Sequence, residues 1–220
     1  MNYYSSQLIP ICRTVQYVPP YPEKTEYSFL IATMIELLGL MWYNVCNRAD
    51  QIRSYRRFIM EIRYINQDDD LFEISNIYEC SWKSAYKDII PQSYLDSIPE
   101  GRWANRITKE GMNNLVLIEN EIAIGTASFC KSRWEQYSDY GEIVSIYFLP
   151  DYMGKGYGNH LLKKCIEELK SLGYDKLLLW VLEDNLRARK FYEKNGFVCS
   201  YEYLNDNIGG KELREVMYTY

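Results

Sequence analysis

The amino-acid sequence predicts an α/β fold (α+β in some classifications), in which helices cover both faces of a mixed β-sheet. Apolar patterns indicate seven strands in the order strand, helices, three strands, helix, strand, helix, two strands. A glycine-rich turn separates the strand at 142–149 from a long amphipathic segment. The apolar run at 176–182 is flanked by charges, which is typical of a strand buried on both faces.

Composition limits the functions that the chain can have. Its 220 residues, 47% hydrophobic and 25% charged, suffice for one globular domain with a shorter extension. A net charge of −5 without a basic stripe argues against a nucleic-acid partner and is compatible with a cationic amine substrate. The six cysteines are scattered and there is one histidine, so we expect free thiols and no metal site. Free thiols indicate a reducing, cytoplasmic location.

Residues 1–59 are predicted to form an N-terminal extension with one apolar helix at about residues 27–47. This helix is long enough to cross a bilayer, but Glu36 near its centre makes a membrane span costly. The segment also lacks the basic start and cleavage site of a signal peptide. We therefore favour a helix packed on the protein body or on a second subunit, as in a homodimer. The following Arg48, Arg53, Arg56 and Arg57 fit either a membrane flank or a solvated helix face.

The predicted domain, residues 60–220, begins with one strand and several helices. Residues 61–65 alternate in polarity as a strand does, and the charged stretch at 67–70 is typical of a helix start. Apolar residues at helical spacing then predict a buried helix face, formed by Ile74, Ile77, Tyr78 and Trp82. A second short helix carries Tyr94, Leu95 and Ile98.

Two strands, Asn114–Glu119 and Ile122–Phe129, follow these helices and are joined by a hairpin turn at Asn120 and Glu121. Gly125 inside the second strand predicts a β-bulge or a close backbone approach. A polar, aromatic loop at 131–140 leads to the strand at 142–149, which Pro150 ends because it has no N–H to donate.

The remaining elements alternate between helices and strands. The helix after the glycine turn has an apolar face up to Leu172 and ends at Gly173. A short helix begins at Asp184 or Asn185 and closes at Gly196. The order finishes with a strand at 197–204, a turn at 205–210 and a last strand to Tyr220.

The glycine turn is a candidate phosphate site. Gly154, Gly156 and Gly158 let backbone N–H groups converge in front of a helix N-terminus, where orphan amides and the helix dipole favour an anion. The spacing fits neither the P-loop nor the dinucleotide fingerprint. A short Gly-x-Gly-x-Gly turn suits a pyrophosphate laid across the helix end. The alternative is a tight strand-to-helix turn that binds no ligand.

A second motif lies beyond the apolar strand. Asn185, Ala188, Phe191, Tyr192, Gly196 and Phe197 match Asn-x-x-Ala-x-x-Phe-Tyr-x-x-x-Gly-Phe. Together with the loop Met153–Gly158, this motif resembles the GNAT superfamily of N-acetyltransferases from about Met60 to the C-terminus. Met153 departs from the Gln or Arg usual in that family, so one side-chain contact to phosphate is in doubt. The resemblance implies a mostly antiparallel central sheet of six to seven strands.

The resemblance also implies acetyl-CoA as the acetyl donor and no metal. The implied acetyl-CoA residues are Ile146, Tyr147, Phe148, Met153, Gly154, Lys155, Gly156, Tyr157, Gly158, Asn159, Asn185 and Tyr192. Main-chain groups of 146–148 would pair with the pantetheine arm like an added strand. Asn185 has helix capping as an equally good structural explanation.

Tyr192 and Glu142 are the implied catalytic residues. A phenol is protonated at neutral pH and can donate to the departing thiolate, although Tyr192 could also be a core tyrosine. Glu142, on the strand before the glycine turn, resembles a family general base, acting directly or through water; otherwise it is a solvated strand-end residue. Trp82 and Tyr86 resemble the segment that lines the acceptor pocket, or they are packing aromatics.

These inferences predict an N-acetyltransferase that acetylates a primary amine of a small molecule or peptide by direct attack in a ternary complex. No convincing covalent nucleophile is present in the sequence. Two other functions remain open: a non-catalytic CoA-binding or regulatory module, and an acetylase of protein N-termini.

Overall fold

The computed structural model describes residues 60–220. The predicted extension at 1–59, with its apolar segment at 27–47 and its four arginines, lies outside the described residues. No helix within 60–220 is long and apolar enough to cross a membrane.

The described part of the chain forms a seven-stranded sheet in the order β1-β2-β3-β4-β5-β7-β6. Neighbouring strands are antiparallel except β4 and β5, which are parallel, so the prediction of a mixed, mostly antiparallel sheet is confirmed. The strands are β1 Met60–Tyr64, β2 Asn113–Glu119, β3 Ile122–Lys131, β4 Tyr140–Phe148, β5 Lys176–Leu182, β6 Val198–Ile208 and β7 Lys211–Thr219.

Helices pack on both faces of this sheet. They are α1 Leu71–Ala85, α2 Gln92–Asp96, α3 Ala104–Ile107, α4 Tyr157–Ser171 and α5 Leu186–Lys194. Leu179 and Val181 of β5 belong to the main core with α4, whereas the next residue, Leu182, packs with Leu95 of α2. Because successive strand residues point to opposite faces, α4 and α2 lie on opposite sides of the sheet.

The turn into α1 is held by two neighbouring aspartates. Asp70 caps the helix by accepting from the amides of Phe72 at 2.8 Å and Glu73 at 3.4 Å. Asp69 accepts two hydrogen bonds of 2.7 Å from the Arg63 guanidinium and one of 2.8 Å from the Asn66 amide. The hydrogen bonds from Arg63 lower the pKa of Asp69.

Asp69→Ala is expected to destabilise the domain by about 1–3 kcal/mol, because Arg63 and the Asn66 amide lose their acceptor. The lowered pKa means that the contribution of Asp69 is complete at neutral pH and is lost as the pH falls through that pKa. The difference between variant and wild type in urea unfolding should therefore shrink in acid. Asp68→Ala is the matched control, since the exposed Asp68 carboxylate accepts no hydrogen bond from the described residues. Equal destabilisation by the two changes would contradict the assignment.

Two irregularities in β4 open the sheet near its centre. Ser128 pairs with Ser145 and Phe129 with Ile143, so Val144 is an extra residue and forms a β-bulge. Only residues 140–142 of β4 pair with β5; beyond them the two strands diverge. Gly125 on β3 confirms the expected close approach, since a Cβ there would lie 2.3 Å from the Phe148 ring.

The last hairpin differs from the sequence prediction. β6 continues to Ile208 instead of ending at Leu204, and the turn is confined to Gly209 and Gly210. Both glycines have positive φ, of 63° and 85°, as a two-residue hairpin turn requires. The polar residues at 205–207 therefore stay paired in the ladder, although their composition is typical of a turn.

Candidate active site

The glycine turn leads directly into α4. Gly154 and Gly156 have φ of 78° and 97°, which side-chain-bearing residues rarely adopt. Gly156 is the N-cap of α4 and supplies no side-chain hydrogen bond, so the first amides of the helix face outward without a side-chain acceptor from it. This end of α4 can therefore receive an anion.

The divergence of β4 and β5 creates a cleft of about 710 Å³ beside this turn. Most of the predicted acetyl-CoA residues line it: Ile146, Tyr147, Phe148, Met153, Gly154, Gly156, Gly158, Asn159, Asn185 and Tyr192. Lys155 and Tyr157 do not. The Lys155 ammonium lies 5.4 Å from the Tyr152 ring centroid, and the Tyr157 phenol donates to Glu119. That hydrogen bond raises the pKa of Tyr157 to about 12.

Tyr192 is held on α5 by its aromatic neighbours. Its ring centroid lies 5.2 Å from that of Phe191 and 5.8 Å from that of Phe197. Burial raises the pKa of Tyr192 well above that of an ordinary phenol, and the neighbouring Tyr147 adds to the increase. No residue within 60–220 forms a hydrogen bond with its hydroxyl. The phenol is therefore protonated at neutral pH and is free to donate into the cleft.

Asn185 caps α5, because its Oδ1 atom accepts from the Ala188 amide at 3.1 Å. The capping explanation is thus correct, and it is compatible with ligand binding. Asn185 also lines the cleft, and within the described part of the chain its Nδ2 atom donates to no other residue.

Glu142 is buried, with 1% of its surface exposed, and does not lie in solvent. Its carboxylate accepts from Arg133 three times: from Nη2 at 2.6 Å, Nε at 3.1 Å and the backbone N at 2.9 Å. The side chain lines the cleft, but both of its oxygens are engaged. A proton taken up by Glu142 would displace part of this ion pair.

Trp82 and Tyr86 line the cleft and also pack against each other, with ring centroids 5.0 Å apart. The packing interpretation is therefore correct, and a role in lining the acceptor pocket stays a prediction. Burial raises the pKa of Tyr86 to about 12, and the nearby Tyr192 and Glu215 contribute. Among residues 60–220, four side-chain groups are buried without a hydrogen-bond partner: the indole N–H groups of Trp82, Trp134 and Trp180 and the Ser145 hydroxyl.

A second cavity, of about 500 Å³, adjoins the cleft on the side of α1 and α3. The two cavities share Arg133, Val144, Ser145 and Tyr147. A molecule entering the second cavity would therefore meet the bulged part of β4.

Sequence reasoning missed Arg133 and Glu215. Arg133 lies in the irregular 131–140 loop, where no pattern identifies it. Glu215 had a signal, since strand alternation places it on the same face as Leu213 and Met217, an apolar face. A charged residue at such a position is a candidate for function.

The described residues contain no cluster of three or more His, Cys, Asp or Glu side chains suited to a metal ion. The groups in the cleft that bear most directly on acyl transfer are the Tyr192 phenol and the carboxylates of Glu142 and Glu215.

Known proteins are similar to this chain in sequence. The acetyltransferase (GNAT) family profile matches residues 71–197. A ribosomal protein bS18-alanine N-acetyltransferase from Haemophilus influenzae is 37% identical over 150 residues, covering 67% of this chain and 97% of that protein. The uncharacterized N-acetyltransferase YuaI from Bacillus subtilis is 30% identical over 119 residues, covering 53% of this chain and 69% of that protein.

Solved structures share the fold. The PaiA N-acetyltransferase from Thermoplasma acidophilum, in complex with coenzyme A, aligns with a TM-score of 0.58 at 22% identity over 74% of this chain and 99% of that one. An N-acetyltransferase from Staphylococcus aureus Mu50 aligns with a TM-score of 0.56 at 26% identity over 74% and 98%, respectively. The chain belongs to the acetyltransferase (GNAT) family.

Proposed function

We propose that this acyltransferase moves the acetyl group of acetyl-CoA to a primary amine of a small molecule or peptide, by direct attack in a ternary complex. The observation that carries the proposal is the cleft between β4 and β5, with the glycine turn at one end and the Tyr192 phenol in its wall.

The cleft fits acetyl-CoA in two respects. A diphosphate can approach Gly154, Gly156 and the first amides of α4 through open space, since a Cβ at either glycine would meet nothing within 4 Å beyond its chain neighbours. Beyond Glu142, β4 has no β5 partner, so the main chain at 146–148 offers free hydrogen-bonding groups to an extended pantetheine arm. A main-chain N–H in this stretch, such as that of Phe148, would also stabilise the oxyanion.

The proposed chemistry uses the acetyl thioester as the activated acyl donor. The neutral amine attacks the carbonyl carbon, and Tyr192 donates a hydrogen bond and then a proton to the leaving sulfur. The sequence resemblance assigns the base to Glu142, acting directly or through water, and its Arg133 ion pair is an obstacle to direct action. Nothing in this scheme requires a covalent acyl-enzyme.

The acceptor is proposed to approach through the second cavity, past Trp82 and Tyr86. The relative from Haemophilus influenzae is named for acetylating an alanine of a ribosomal protein, which makes a peptide α-amine one candidate beside small amines. An enzyme acting on protein N-termini and a CoA-binding regulatory module are the alternatives.

Three further expectations accompany this function as proposals. The free cysteines at 80, 130, 165 and 199 suit a cytoplasmic location. The division into an extension at 1–59 and a catalytic domain at 60–220 is a proposal, as is a homodimer through the extension.

Release of free coenzyme A thiol from acetyl-CoA in the presence of an amine panel tests the function. The panel should include polyamines, amino acids, aminoglycosides and alanyl peptides. We expect at least one amine to raise thiol release above the hydrolytic background and to gain an acetyl group by mass spectrometry. Tight binding of acetyl-CoA without acetylation of any amine would favour the regulatory module.

A further inference from the structure

We propose that Glu215 binds the ammonium group of the acceptor and accepts its proton before attack. This inference rests on the proposed function and adds a catalytic residue that the two sequence motifs do not contain.

The register of β7 places Glu215 at the reaction cleft. Glu215 pairs with Leu182 across β5, so both side chains lie on the face of the sheet that carries α1 and α2. The side chain lines the same cavity as Tyr192, Glu142 and Tyr86. Glu215 lies close enough to Tyr86 for its carboxylate to raise the pKa of the Tyr86 phenol.

Unlike the carboxylate of Glu142, that of Glu215 is free to bind an ammonium group. Its carboxylate accepts no hydrogen bond and forms no ion pair with any residue from 60 to 220, although it is mostly buried. Burial raises the pKa of Glu215, and the carboxylates of Asp206 and Glu142 raise it further, whereas Arg133 opposes them. A partly desolvated carboxylate without a partner attracts a cation.

The surrounding side chains suit an ammonium group. Trp82, Tyr86 and Trp180 line the cavity with Glu215, and aromatic faces attract cations. Four cationic side chains line the cleft, and the one that opposes the raised pKa of Glu215, Arg133, is already engaged by Glu142. These contacts favour a primary or α-amine acceptor over a hydroxyl or anionic one.

The proton balance is complete with Glu215 as the base. The R-NH₃⁺ group gives one proton to the Glu215 carboxylate, and the neutral nitrogen forms a bond to the thioester carbonyl carbon. When the carbon–sulfur bond breaks, Tyr192 protonates the sulfur, and the second nitrogen proton restores the phenol. Glu215 then releases its proton to solvent, so one amine yields one amide, one thiol and one proton.

Glu215→Gln tests the proposal, because glutamine keeps the shape and loses the base. We expect kcat/KM for the amine to fall about 10²-fold near neutral pH, with acetyl-CoA affinity and Tm unchanged. A base must be deprotonated, so wild-type kcat/KM falls as the pH falls through the raised pKa of Glu215. This acid limb should vanish in Glu215→Gln and return in part in Glu215→Asp.

Glu212→Gln is the matched control, since Glu212 lies on the same strand with an exposed side chain. It should retain wild-type kcat/KM and the acid limb. Wild-type activity with an intact acid limb in Glu215→Gln overturns the assignment, as does loss of the limb in Glu142→Gln alone. If the wild-type chain acetylates no amine, the proposed function itself fails, and this assignment fails with it.

Discussion

Tyr192→Phe is expected to lower kcat for acetyl transfer by about 10²-fold or more while leaving acetyl-CoA affinity unchanged. The ring is fixed by Phe191 and Phe197, so phenylalanine fits the same space. The hydroxyl has no hydrogen-bond partner within 60–220, so its removal breaks no contact of the described fold. What is lost is the donor to the leaving sulfur.

The raised pKa of Tyr192 gives this prediction a pH dependence. An acid must be protonated to act, so activity that depends on the phenol is lost only as the pH rises through that pKa, above the ordinary value of about 10. An alkyl thiol has an ordinary pKa near 8.5, so complete transfer from the phenol is uphill unless nitrogen returns a proton to it. The wild-type profile should therefore show no alkaline limb attributable to Tyr192 below about pH 10.

Assays of thiol release measure kcat, and a direct titration with acetyl-CoA measures the affinity for the donor. Tyr201→Phe serves as the control, because Tyr201 lies on β6 with 90% of its surface exposed. Unchanged turnover in Tyr192→Phe, in a chain that acetylates an amine, would show that another group protonates the sulfur. It would also favour the alternative interpretation of Tyr192 as a core tyrosine with a packing role.

Local patterns explain why so much of the fold was predictable. The hairpin turn at Asn120 and Glu121 depends on two adjacent residues with positive φ, of 51° and 70°, and polar residues between apolar strands identify it. The start of α4 follows in the same way from the glycines at 154–158. The predicted end of β6 was wrong because the polar residues at 205–207 remain paired with β7. The length of β6 is set by this pairing and not by its own composition.

The site residues, like the elements of the fold, were predictable where a local motif contains them and not where tertiary contacts place them. The phosphate turn, Asn185 and Tyr192 belong to contiguous motifs, and all of these motif positions except Lys155 and Tyr157 line the cleft. The state of Glu142 depends on Arg133, nine residues away in a loop without periodicity. Glu215 joins the cleft only through the β5–β7 pairing, which no local pattern specifies. The sequence therefore identifies the motif residues of the site. Only the tertiary structure shows that Glu142 is paired with Arg133 and that Glu215 has no partner among the described residues.

Gly156→Ala is expected to weaken acetyl-CoA binding by about 10- to 100-fold, or about 1.4–2.7 kcal/mol. Gly156 has φ of 97°, and a Cβ there contacts no protein atom within 4 Å. Within the protein the substitution therefore adds only backbone strain, of about 1–2 kcal/mol. The new methyl group would stand in the open space in front of α4, where the diphosphate has to approach the amides.

Gly173→Ala separates strain from ligand contact. Gly173 has φ of 93° and equally open surroundings, but it follows the C-terminal end of α4. With 15 residues in the helix, the two ends lie on the order of 22 Å apart. Thermal unfolding should thus show similar destabilisation in the two variants, whereas calorimetric titration with acetyl-CoA should show reduced affinity only for Gly156→Ala.

Comparing Gly156→Ala with Gly173→Ala tests where the diphosphate of acetyl-CoA binds. Equal acetyl-CoA affinity in both variants, at equal stability, would mean that the diphosphate does not rest against the amino end of α4. Reduced affinity in both would assign the loss to strain transmitted through the helix. Only the asymmetric result supports a phosphate cradle, because the two sites match in φ and in free space and differ in what the cleft brings to them.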